Sequence, residues 1–594
     1  MLKLSILFLV AKTLAQPVVE TWVYSSFEYA PNPEPTYATS VDPKAASGHY
    51  AAGYDKLSTL HDAVPTTTYG KWKPDMSNTY TDSDDEYGQS AWFEMWATAN
   101  IQNFTDSALY TDTVEPTAVP TESLVRPPPD SFKFDDSLKF PSDFIFGVAG
   151  SAAQIEGAVS EHGRTPSIQE FLINDQRPRD YITNENYYLY KQDIARLAAI
   201  GAEHYSFTIP WSRILPFVLP GTPINKEGID HYDDVINTCI SYGIKPIVTL
   251  THFDTPAMFL GDRNMSTDDA YFYYNGGYDN DTFVEAFVNY GKIVLTHYAD
   301  RVPIFIGFNE PFLYSGNPLG MKHVVQATKQ LHSFYHDEIK GCGKFGIKFN
   351  DNFGVPEDPS NPDHVAAAKR FQDIQLGSYG NPLFLGKDFP DALKETFTND
   401  TRYLFTDEEL KNASFGADFL GIDPYTYTVV TPPEGGIEAC QSNTSHPLWP
   451  LCVAESQTRS DGWKIGYKSE SYVYITPVQF REYLNYLWNT FKAPIIASEF
   501  GYPEWRESEK ALGDQVYDLG RSVYYRSFME AILQAINIDR VKVIGALAWS
   551  FADNWEFGDY KQQFGLQVVN RTTQERYYKK SFFDLVQYYQ ERSS

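Results

Sequence analysis

The stretch VPIFIGFNEP, residues 302–311, decides the fold of this chain, because an apolar run ends there in a carboxylate and a proline. The stretch APIIASEFG, residues 493–501, has a similar form, with a glutamate at the end of its apolar run and a glycine soon after. Apolar runs bounded by turn residues are typical of buried parallel strands. Because an unpaired carboxylate is costly in a core, Glu310 and Glu499 are expected where their strands open into a cleft.

Outward from these two stretches, strand-like apolar runs alternate with helix-like amphipathic segments from about Leu138 to the end of the chain. The eight runs are, in order, FIFGVA, HYSFTIPW, KPIVTLTHF, VPIFIGFNE, FGIKFN, DFLGIDPYTY, APIIASE and VIGALAWSF. Eight strand–helix units predict an α/β fold, a (β/α)8 TIM barrel with long loop insertions. An open doubly wound sheet is the alternative, but no glycine-rich phosphate loop follows the first run, so a dinucleotide site is not expected.

The N-terminal part of the chain predicts two further segments. Residues 1–15 predict a secretory signal peptide, because Lys3 precedes the apolar run LSILFLVA and a small residue, Ala15, ends the segment. Residues 16–137 are rich in Tyr, Thr, Pro, Ser and Asp without periodicity, and predict a low-complexity, largely disordered extension before a barrel domain at 138–594. Within the extension, AWFEMWATANIQ predicts either a transient local cluster or a segment that docks onto the barrel or a partner.

Charge and glycosylation motifs narrow the class of protein. The net charge of −29 repels phosphate backbones and anionic membranes, so nucleic acid is not expected as a partner. No membrane span is expected, because the apolar run at the N-terminus is too short to cross a bilayer. A signal peptide followed by several N-x-S/T sequons favours a secreted, extracellular or cell-wall glycoprotein. The seven sequons begin at Asn103, Asn264, Asn280, Asn399, Asn412, Asn443 and Asn570.

Four cysteines fit the same compartment. Cys440 and Cys452 bracket a Gly/Pro/Asn/Ser-rich loop and are predicted to form a disulfide. Cys239 lies in a helix-like segment and Cys342 just before a strand-like one, so either is expected as a buried free thiol. No CxxC pair and no His/Cys cluster with metal-binding spacing occurs, so no structural metal and no cofactor are expected.

Polar residues cluster at the carboxyl ends of the eight runs, which converge on one face of a barrel. They are Gln154, Glu156, His252, Asp254, Asn309, Glu310, Asn350, Asp423, Tyr425, Glu499, Trp549, Asn554, Trp555 and Glu556. Glu310 and Glu499, on the fourth and seventh strands, are expected to face each other across the barrel mouth. Such a pair is the minimum for hydrolysis of a glycosidic bond: a separation of roughly 5–5.5 Å predicts retention of configuration, and roughly 6.5–9.5 Å predicts inversion.

Several blocks of this sequence resemble glycoside hydrolase family 1, the β-glucosidases, in a fungal-type variant with an N-terminal extension. The blocks are FPSDFIFGVAGSAAQIEGA, SFTIPWSRILP, VTLTHFDTP, FNEP and ALAWSFADNWEFGDYKQQFGL, in that order. The resemblance implies that Glu310 is the acid/base and Glu499 the nucleophile, and that Tyr425 donates a hydrogen bond to Glu499. It implies substrate-binding roles for Asn309 at the sugar 2-hydroxyl, for Gln154, His252 and Glu556 at other hydroxyls, and for Trp549 as a stacking floor.

The sequence departs from the family pattern at five positions of the expected site. Ser206 stands where the family usually has an arginine that pairs with the nucleophile, which leaves Glu499 more dependent on hydrogen bonds. Phe253 and Phe557 stand where tryptophans are usual, so two indole donors are missing. Phe500 and Asp423 replace asparagines. These departures put the preferred sugar and the operating pH in question more than the reaction.

Three functions are consistent with these residues. The first is a secreted retaining β-glucosidase that acts on an oligosaccharide or β-glucoside substrate through a covalent glycosyl-enzyme. The second is another β-glycosidase, or a transglucosylase acting on cell-wall glucan. The third is a catalytically impaired carbohydrate-binding or cell-wall protein, although the presence of both glutamates argues against it.

Overall fold

Eight parallel strands close into a barrel, as the alternation of apolar runs predicts. The computed structural model describes residues 50–58, 60, 69–70, 72, 82, 84–99, 108–124, 137–171, 179–259, 277–315, 317–350, 352–411 and 416–593. The barrel strands are β1 Ile145–Ala149, β2 His204–Thr208, β3 Lys245–Thr249, β4 Ile304–Asn309, β5 Lys344–Asn350, β6 Leu420–Asp423, β7 Ile495–Phe500 and β8 Val543–Trp549. Each strand pairs with its neighbours in chain order, and β8 closes on β1. Strands in such a barrel are buried on both faces, which is why their sequences are nearly continuous apolar runs.

Helices cover the outside of the barrel. The eight outer helices are α1 Asn186–Ile200, α2 Lys226–Ser241, α3 Phe283–Tyr298, α4 Pro318–Ser333, α5 Pro362–Gln372, α6 Pro477–Phe491, α7 Leu519–Asn537 and α8 Lys580–Arg592. Each buries an apolar stripe; α2, for example, buries Ile229, Val235 and Ile236 and exposes charged residues on its other face. The (β/α)8 prediction is therefore confirmed.

Shorter elements build the loops between these units. The short α-helices are Tyr54–Leu57, Gln89–Ala99, Ala152–Ile155, Trp211–Ile214, Ser378–Gly380, Asp391–Thr396, Asp407–Lys411, Ile437–Gln441 and Leu512–Gln515. The 3-10 and π turns are Thr121–Leu124, Ile168–Glu170, Ala257–Phe259, Pro311–Leu313, Phe334–Glu338, Asp373–Gly377, Asn381–Leu385 and Glu507–Glu509. The strands outside the barrel are Tyr69–Gly70, Ile224–Asn225, Phe353–Pro356, Tyr427–Thr431, Ala454–Ser456, Tyr467–Lys468, Tyr474–Ile475, Gln567–Val569 and Arg576–Tyr578.

One piece of the N-terminal extension is a helix that packs on the barrel. Within Gln89–Ala99, Trp92 and Trp96 are buried, and their indole N–H groups donate to the carbonyls of Gly163 and Arg164 at 3.3 and 3.0 Å. Of the two alternatives for AWFEMWATANIQ, docking onto the barrel is thus the observed one for residues 91–99. Two buried indoles with satisfied N–H groups hold this helix on the barrel. Leu57, Val119 and Leu124, from other described parts of the extension, are also buried in the main core.

The structure describes all four cysteines, but it does not describe the predicted signal peptide or three of the sequons. Cys440 and Cys452 form the predicted disulfide, with their Cα atoms 5.7 Å apart. Cys239 is buried as expected, whereas Cys342 is exposed, because it lies in the turn before β5 and not within the strand. The signal peptide and the sequons at 103, 264 and 412 fall outside the described residues, and the domain boundary at 138 stays a prediction. Among the described residues, no helix combines the length and hydropathy that crossing a bilayer requires.

Candidate active site

The predicted site residues meet at the carboxyl ends of the barrel strands. The positions are Gln154 in the short helix after β1, His252 three residues after β3, Asn309 and Glu310 at the end of β4, Tyr425 just after β6, Glu499 in β7, Trp549 at the end of β8, and Glu556 in the following loop. Each strand delivers its last polar residues to the same face, so residues hundreds of positions apart come into contact. Contacts join Tyr425, Glu499, His252 and Trp549 in one group, and Gln154 contacts Glu556.

Glu499 lies at the centre of these contacts. The Tyr425 hydroxyl donates a hydrogen bond to its Oε2 at 2.9 Å, which is the contact that the family resemblance implies. The His252 ring approaches Oε1 to 3.9 Å and stacks on the Trp549 indole, with ring centroids 5.4 Å apart and planes 13° apart. Burial, and then the charge of Lys348, hold the pKa of His252 well below its usual value, so the ring is neutral and its approach to Glu499 is not an ion pair.

Glu310, the second glutamate of the site, has a raised pKa. It follows β4 directly, and its positive φ of 49° turns the chain sharply at the end of the strand. Burial, and then the charge of Glu499, raise the pKa of Glu310 to about 8. A carboxyl group with this pKa keeps its proton at neutral pH and gives it to an atom that becomes basic. The raised pKa therefore suits Glu310 to act as an acid.

A buried lysine that the sequence analysis overlooked is the charged partner of Glu499. Lys348 lies in β5, and its Nζ is 2.5 Å from Glu499 Oε1 and 3.8 Å from Asp423 Oδ2. Its side chain is 2% exposed and that of Glu499 is 4% exposed. The expectation that Ser206 leaves Glu499 dependent on hydrogen bonds is therefore incomplete, because the cation comes from another strand. A lysine inside the apolar run FGIKFN was the signal, since a charge is tolerated there only when paired.

The third carboxylate of the site, Asp423, is held next to this pair. Ser498 donates a hydrogen bond to its Oδ1 at 2.8 Å, while burial and then the charge of Glu499 raise the pKa of Asp423 well above its usual value. Although burial lowers the pKa of Lys348, the charges of Asp423 and Glu499 raise it above its usual value overall. Of the two carboxyl groups, Glu499 lies nearer to the Lys348 ammonium, at 2.5 Å against 3.8 Å for Asp423.

Several polar groups near the two glutamates have an unused hydrogen-bonding capacity. Both side-chain atoms of the buried Asn309 lack a partner among the described residues, as does Oε1 of Glu556. The other oxygen of Glu556 accepts a hydrogen bond from Gln154 at 3.3 Å. Leaving a buried polar group unpaired costs about 1–3 kcal/mol, so such groups in a cleft point to a polar ligand. Hydroxyl groups of a sugar would satisfy them.

The departures from the family pattern fall in two different places. Phe253 and Phe557 contact each other edge to face, 5.5 Å between centroids, and are both partly exposed, so they form an aromatic wall without donors. Phe500, in contrast, is buried against Tyr525 and Phe528. Because side chains alternate along a strand, Glu499 points into the barrel and Phe500 points outward, where a phenyl ring suits the core.

Comparisons with known proteins agree with this geometry. The family model "Glycosyl hydrolase family 1" matches residues 136–593. Beta-glucosidase 1B of Phanerodontia chrysosporium is 30% identical over 480 residues, which is 75% of this chain and 84% of that protein. Beta-glucosidase 42 of Arabidopsis thaliana is 32% identical over 465 residues, 73% of this chain and 90% of that protein.

Two solved structures of fungal β-glucosidases also align with this chain. The GH1 beta-glucosidase from the fungus Humicola insolens, in complex with glucose, aligns with a TM-score of 0.68 at 27% identity, over 77% of this chain and 100% of that one. Beta-glucosidase 2 from the fungus Trichoderma reesei, in complex with Tris, aligns with a TM-score of 0.69 at 28% identity, again over 77% of this chain and 100% of that one.

Proposed function

This chain belongs to glycosyl hydrolase family 1, and we propose that it is a secreted β-glucosidase that removes non-reducing terminal β-glucosyl residues with retention of configuration. One observation carries the proposal: a glutamate with a raised pKa shares one buried site with a glutamate that is held by a cation and a phenol. Acid/base catalysis by a pair of carboxyl groups needs one member that is protonated before the glycosidic bond breaks, and the raised pKa of Glu310 suits it to that role.

The proposed reaction has two displacements. In the first, the Glu499 carboxylate attacks the anomeric carbon while Glu310 gives its proton to the glycosidic oxygen, so the bond to the aglycone breaks and a glycosyl ester forms on Glu499. In the second, the Glu310 carboxylate takes a proton from water, whose oxygen attacks the anomeric carbon and releases Glu499. The sugar leaves, and Glu310 is protonated again.

The other site residues would position the sugar. The two free side-chain atoms of Asn309, next to Glu310 in sequence, support its role at the 2-hydroxyl, a contact that strengthens in the transition state. Gln154, His252 and Glu556 would bind the other hydroxyls, and Trp549 would stack on the sugar ring. Neither a metal nor an organic cofactor takes part in this reaction scheme.

Activity and stereochemistry provide the first test. We expect purified protein to hydrolyse 4-nitrophenyl β-glucoside and to release β-glucose as the first anomer seen by proton NMR, because two inversions give net retention. First release of α-glucose would contradict the double displacement. No hydrolysis at any pH between about 3 and 8 would instead favour a carbohydrate-binding protein without activity.

The sugar preference needs its own comparison, because the Phe253–Phe557 wall lacks the indole donors usual in the family. We propose glucose as the preferred sugar. A β-galactoside or β-fucoside that reacts faster than the β-glucoside would favour the second candidate, another β-glycosidase. Glucosyl transfer to an added β-glucan in excess over hydrolysis would favour a transglucosylase.

The pH profile tests the role of Glu310. Because its pKa is raised to about 8, Glu310 is protonated below that pH and loses its proton above it, so we expect hydrolysis of an alkyl β-glucoside to decline as the pH rises through about 8. In Glu310→Gln, kcat/KM for this substrate should fall about 100-fold. The kcat/KM for 2,4-dinitrophenyl β-glucoside should stay within about tenfold of wild type, since this leaving group needs no proton. Equal losses on both substrates would contradict the assignment.

We also propose that the protein is secreted after cleavage behind Ala15 and is glycosylated. The predicted signal peptide supports this, and Asn280, Asn399 and Asn443 are exposed positions for glycans. N-terminal sequencing of protein collected from the culture medium should begin at Gln16, and treatment with an endoglycosidase should reduce its apparent mass. An intact N-terminus in the mature protein would overturn the proposal.

A further inference from the structure

We propose that His332, His336 and Asp418 bind a divalent transition-metal ion, with Zn²⁺ as the best match, at the barrel face opposite the active site. His332 lies in the last turn of α4, and His336 lies in the π-helical turn Phe334–Glu338 that continues it. Asp418 lies two residues before β6. The amino ends of the strands form this face, whereas Glu310 and Glu499 lie at their carboxyl ends. The proposed ion site is therefore separate from the glycosidase site.

The geometry brings three ligand atoms together. The Nε2 atom of His332 is 3.2 Å from Asp418 Oδ1, and the Nε2 atom of His336 is 2.8 Å from Asp418 Oδ2. The two imidazole centroids are 4.5 Å apart, and one ligand atom from each of the three residues lies within 4.8 Å of the others. Two ligands of a tetrahedral zinc ion, each about 2.0 Å from the metal, are roughly 3.3 Å apart. The spacing of the three groups therefore fits one shared ion.

The helix geometry aims both rings at one point. Two histidines four positions apart share one face of a helix, as in the zinc-binding helices of metalloproteases. The turn that holds His336 is widened, since the Ile339 N–H donates to the Phe334 carbonyl five residues back, at 3.0 Å. Such π turns occur often at functional sites.

The hydrogen bonds of His336 leave its Nε2 atom facing an oxygen of Asp418, where a positive charge between the two atoms would be stabilising. Its Nδ1 faces the Gly341 carbonyl at 3.2 Å, and since a carbonyl only accepts, Nδ1 must carry a proton. In the neutral ring, Nε2 then has a lone pair that points at an Asp418 oxygen, so two acceptors face each other at 2.8 Å. A metal ion bound at Nε2 would remove this conflict, as would a second proton on the ring. Histidine ligands of metals usually donate the other ring N–H to a backbone carbonyl or carboxylate, as His336 does.

The surroundings of Asp418 also suit a metal. Its Oδ2 accepts the Phe345 N–H at 2.7 Å, which holds the carboxylate in place. Within the described ranges, no lysine or arginine forms an ion pair with it, and the side chains that contact its carboxylate are those of the two histidines. The side chains of His332, His336 and Asp418 are 14%, 29% and 26% exposed, so an ion can enter and water can complete its coordination. Two imidazoles and one carboxylate suit Zn²⁺, and also Co²⁺ or Ni²⁺.

This proposal departs from the expectation that the chain has no structural metal. A pair of histidines at this spacing is common on helix surfaces, and the third ligand lies 82 residues after His336. Only the packing of α4 against the start of β5 and β6 puts the three together. A bound ion would tie this helix to two strands, and would stabilise the folded barrel without taking part in catalysis.

Metal content of the full-length, tag-free protein tests the proposal. Protein dialysed against ZnCl₂ and then against metal-free buffer should retain about one zinc per chain by mass spectrometry of the element. At a hundredfold excess of zinc over its dissociation constant, we expect the melting temperature to rise by about 2–3 °C. Protein loaded with Co²⁺ should show the visible absorption of a cobalt ion with nitrogen and oxygen ligands.

Variants distinguish this site from adventitious binding. His332→Gln and His336→Gln should lose the retained zinc, the thermal shift and the cobalt spectrum, while His364→Gln on α5 should keep all three. Retention of zinc by both site variants would overturn the proposal. So would a wild-type protein that binds no zinc, in which case a second proton on His336 resolves the conflict and the cluster is an ion pair. Hydrolysis of β-glucosides by the site variants should match wild type at 25 °C.

Discussion

We expect Glu499→Gln to lower kcat/KM for an aryl β-glucoside by at least about 10⁴-fold, the largest effect of any substitution in this chain. The amide has nearly the shape of the carboxylate, so the Tyr425 contact and the barrel core can persist, but it cannot form the glycosyl ester. Purified variant should therefore remain folded by circular dichroism while initial rates fall to background. Glu509→Gln, at an exposed glutamate paired with Arg506 on the surface, is the matched control and should retain full activity.

A second variant separates loss of the nucleophile from general damage. Glu499→Gly leaves space on the side from which the carboxylate attacks, so added azide should restore turnover of an activated aryl glucoside. The product should be α-glucosyl azide, because a single displacement inverts the anomeric carbon. Full hydrolysis by Glu499→Gln, or a β-configured azide product, would show that another group is the nucleophile.

We expect Lys348→Met to lower kcat/KM by about 10²–10³-fold, the second largest effect among the predictions made for single residues of this site. The lysine is the cation nearest to Glu499, and its removal leaves this carboxylate beside Asp423 and Glu310 without a compensating charge. Loss of a neighbouring positive charge raises the pKa of a carboxyl group, so the acid limb of the pH profile should move to higher pH. Lys344→Met, at the exposed start of the same strand, should leave both rate and profile unchanged.

A rescue experiment tells a charge effect from a packing effect. Ser206 is buried in β2, at the position where the family resemblance places the nucleophile's arginine. If Lys348 supplies that charge from another strand, Ser206→Arg in the Lys348→Met background should recover part of the activity and return the acid limb toward wild type. Recovery by Lys348→Arg but not by the double variant would mean that the charge is needed only at β5. An unshifted acid limb in Lys348→Met would contradict the electrostatic role.

Local patterns sufficed for the barrel and for its catalytic face. Each of the eight runs became a strand, because an apolar run between turn residues has few other stable states in a large α/β chain. The polar residues at the ends of the runs met on one face, because parallel strands share their direction. The disulfide between Cys440 and Cys452 was also predictable, since only a short loop separates the two cysteines.

Other features depended on contacts that no local pattern records. Lys348 and Glu499 are 151 positions apart, and nothing in either run shows that their side chains share a pocket. Phe500 contacts Tyr525 and Phe528 of α7, which follow it by 25 and 28 positions. Docking of Trp92 and Trp96 depended on carbonyls of a loop about 70 positions further along the chain.

The sequence by itself therefore determined the eight-stranded barrel, the family, and the two glutamates at the ends of β4 and β7. Periodicity and turn residues act over a few positions, so they can be read directly from the chain. Only the tertiary structure decided which cation pairs with Glu499 and in which direction the pKa of Glu310 is shifted. It also decided that His332, His336 and Asp418 lie together at the amino ends of the barrel strands. Those properties depend on burial and on charges from distant strands, which exist only after the barrel has closed.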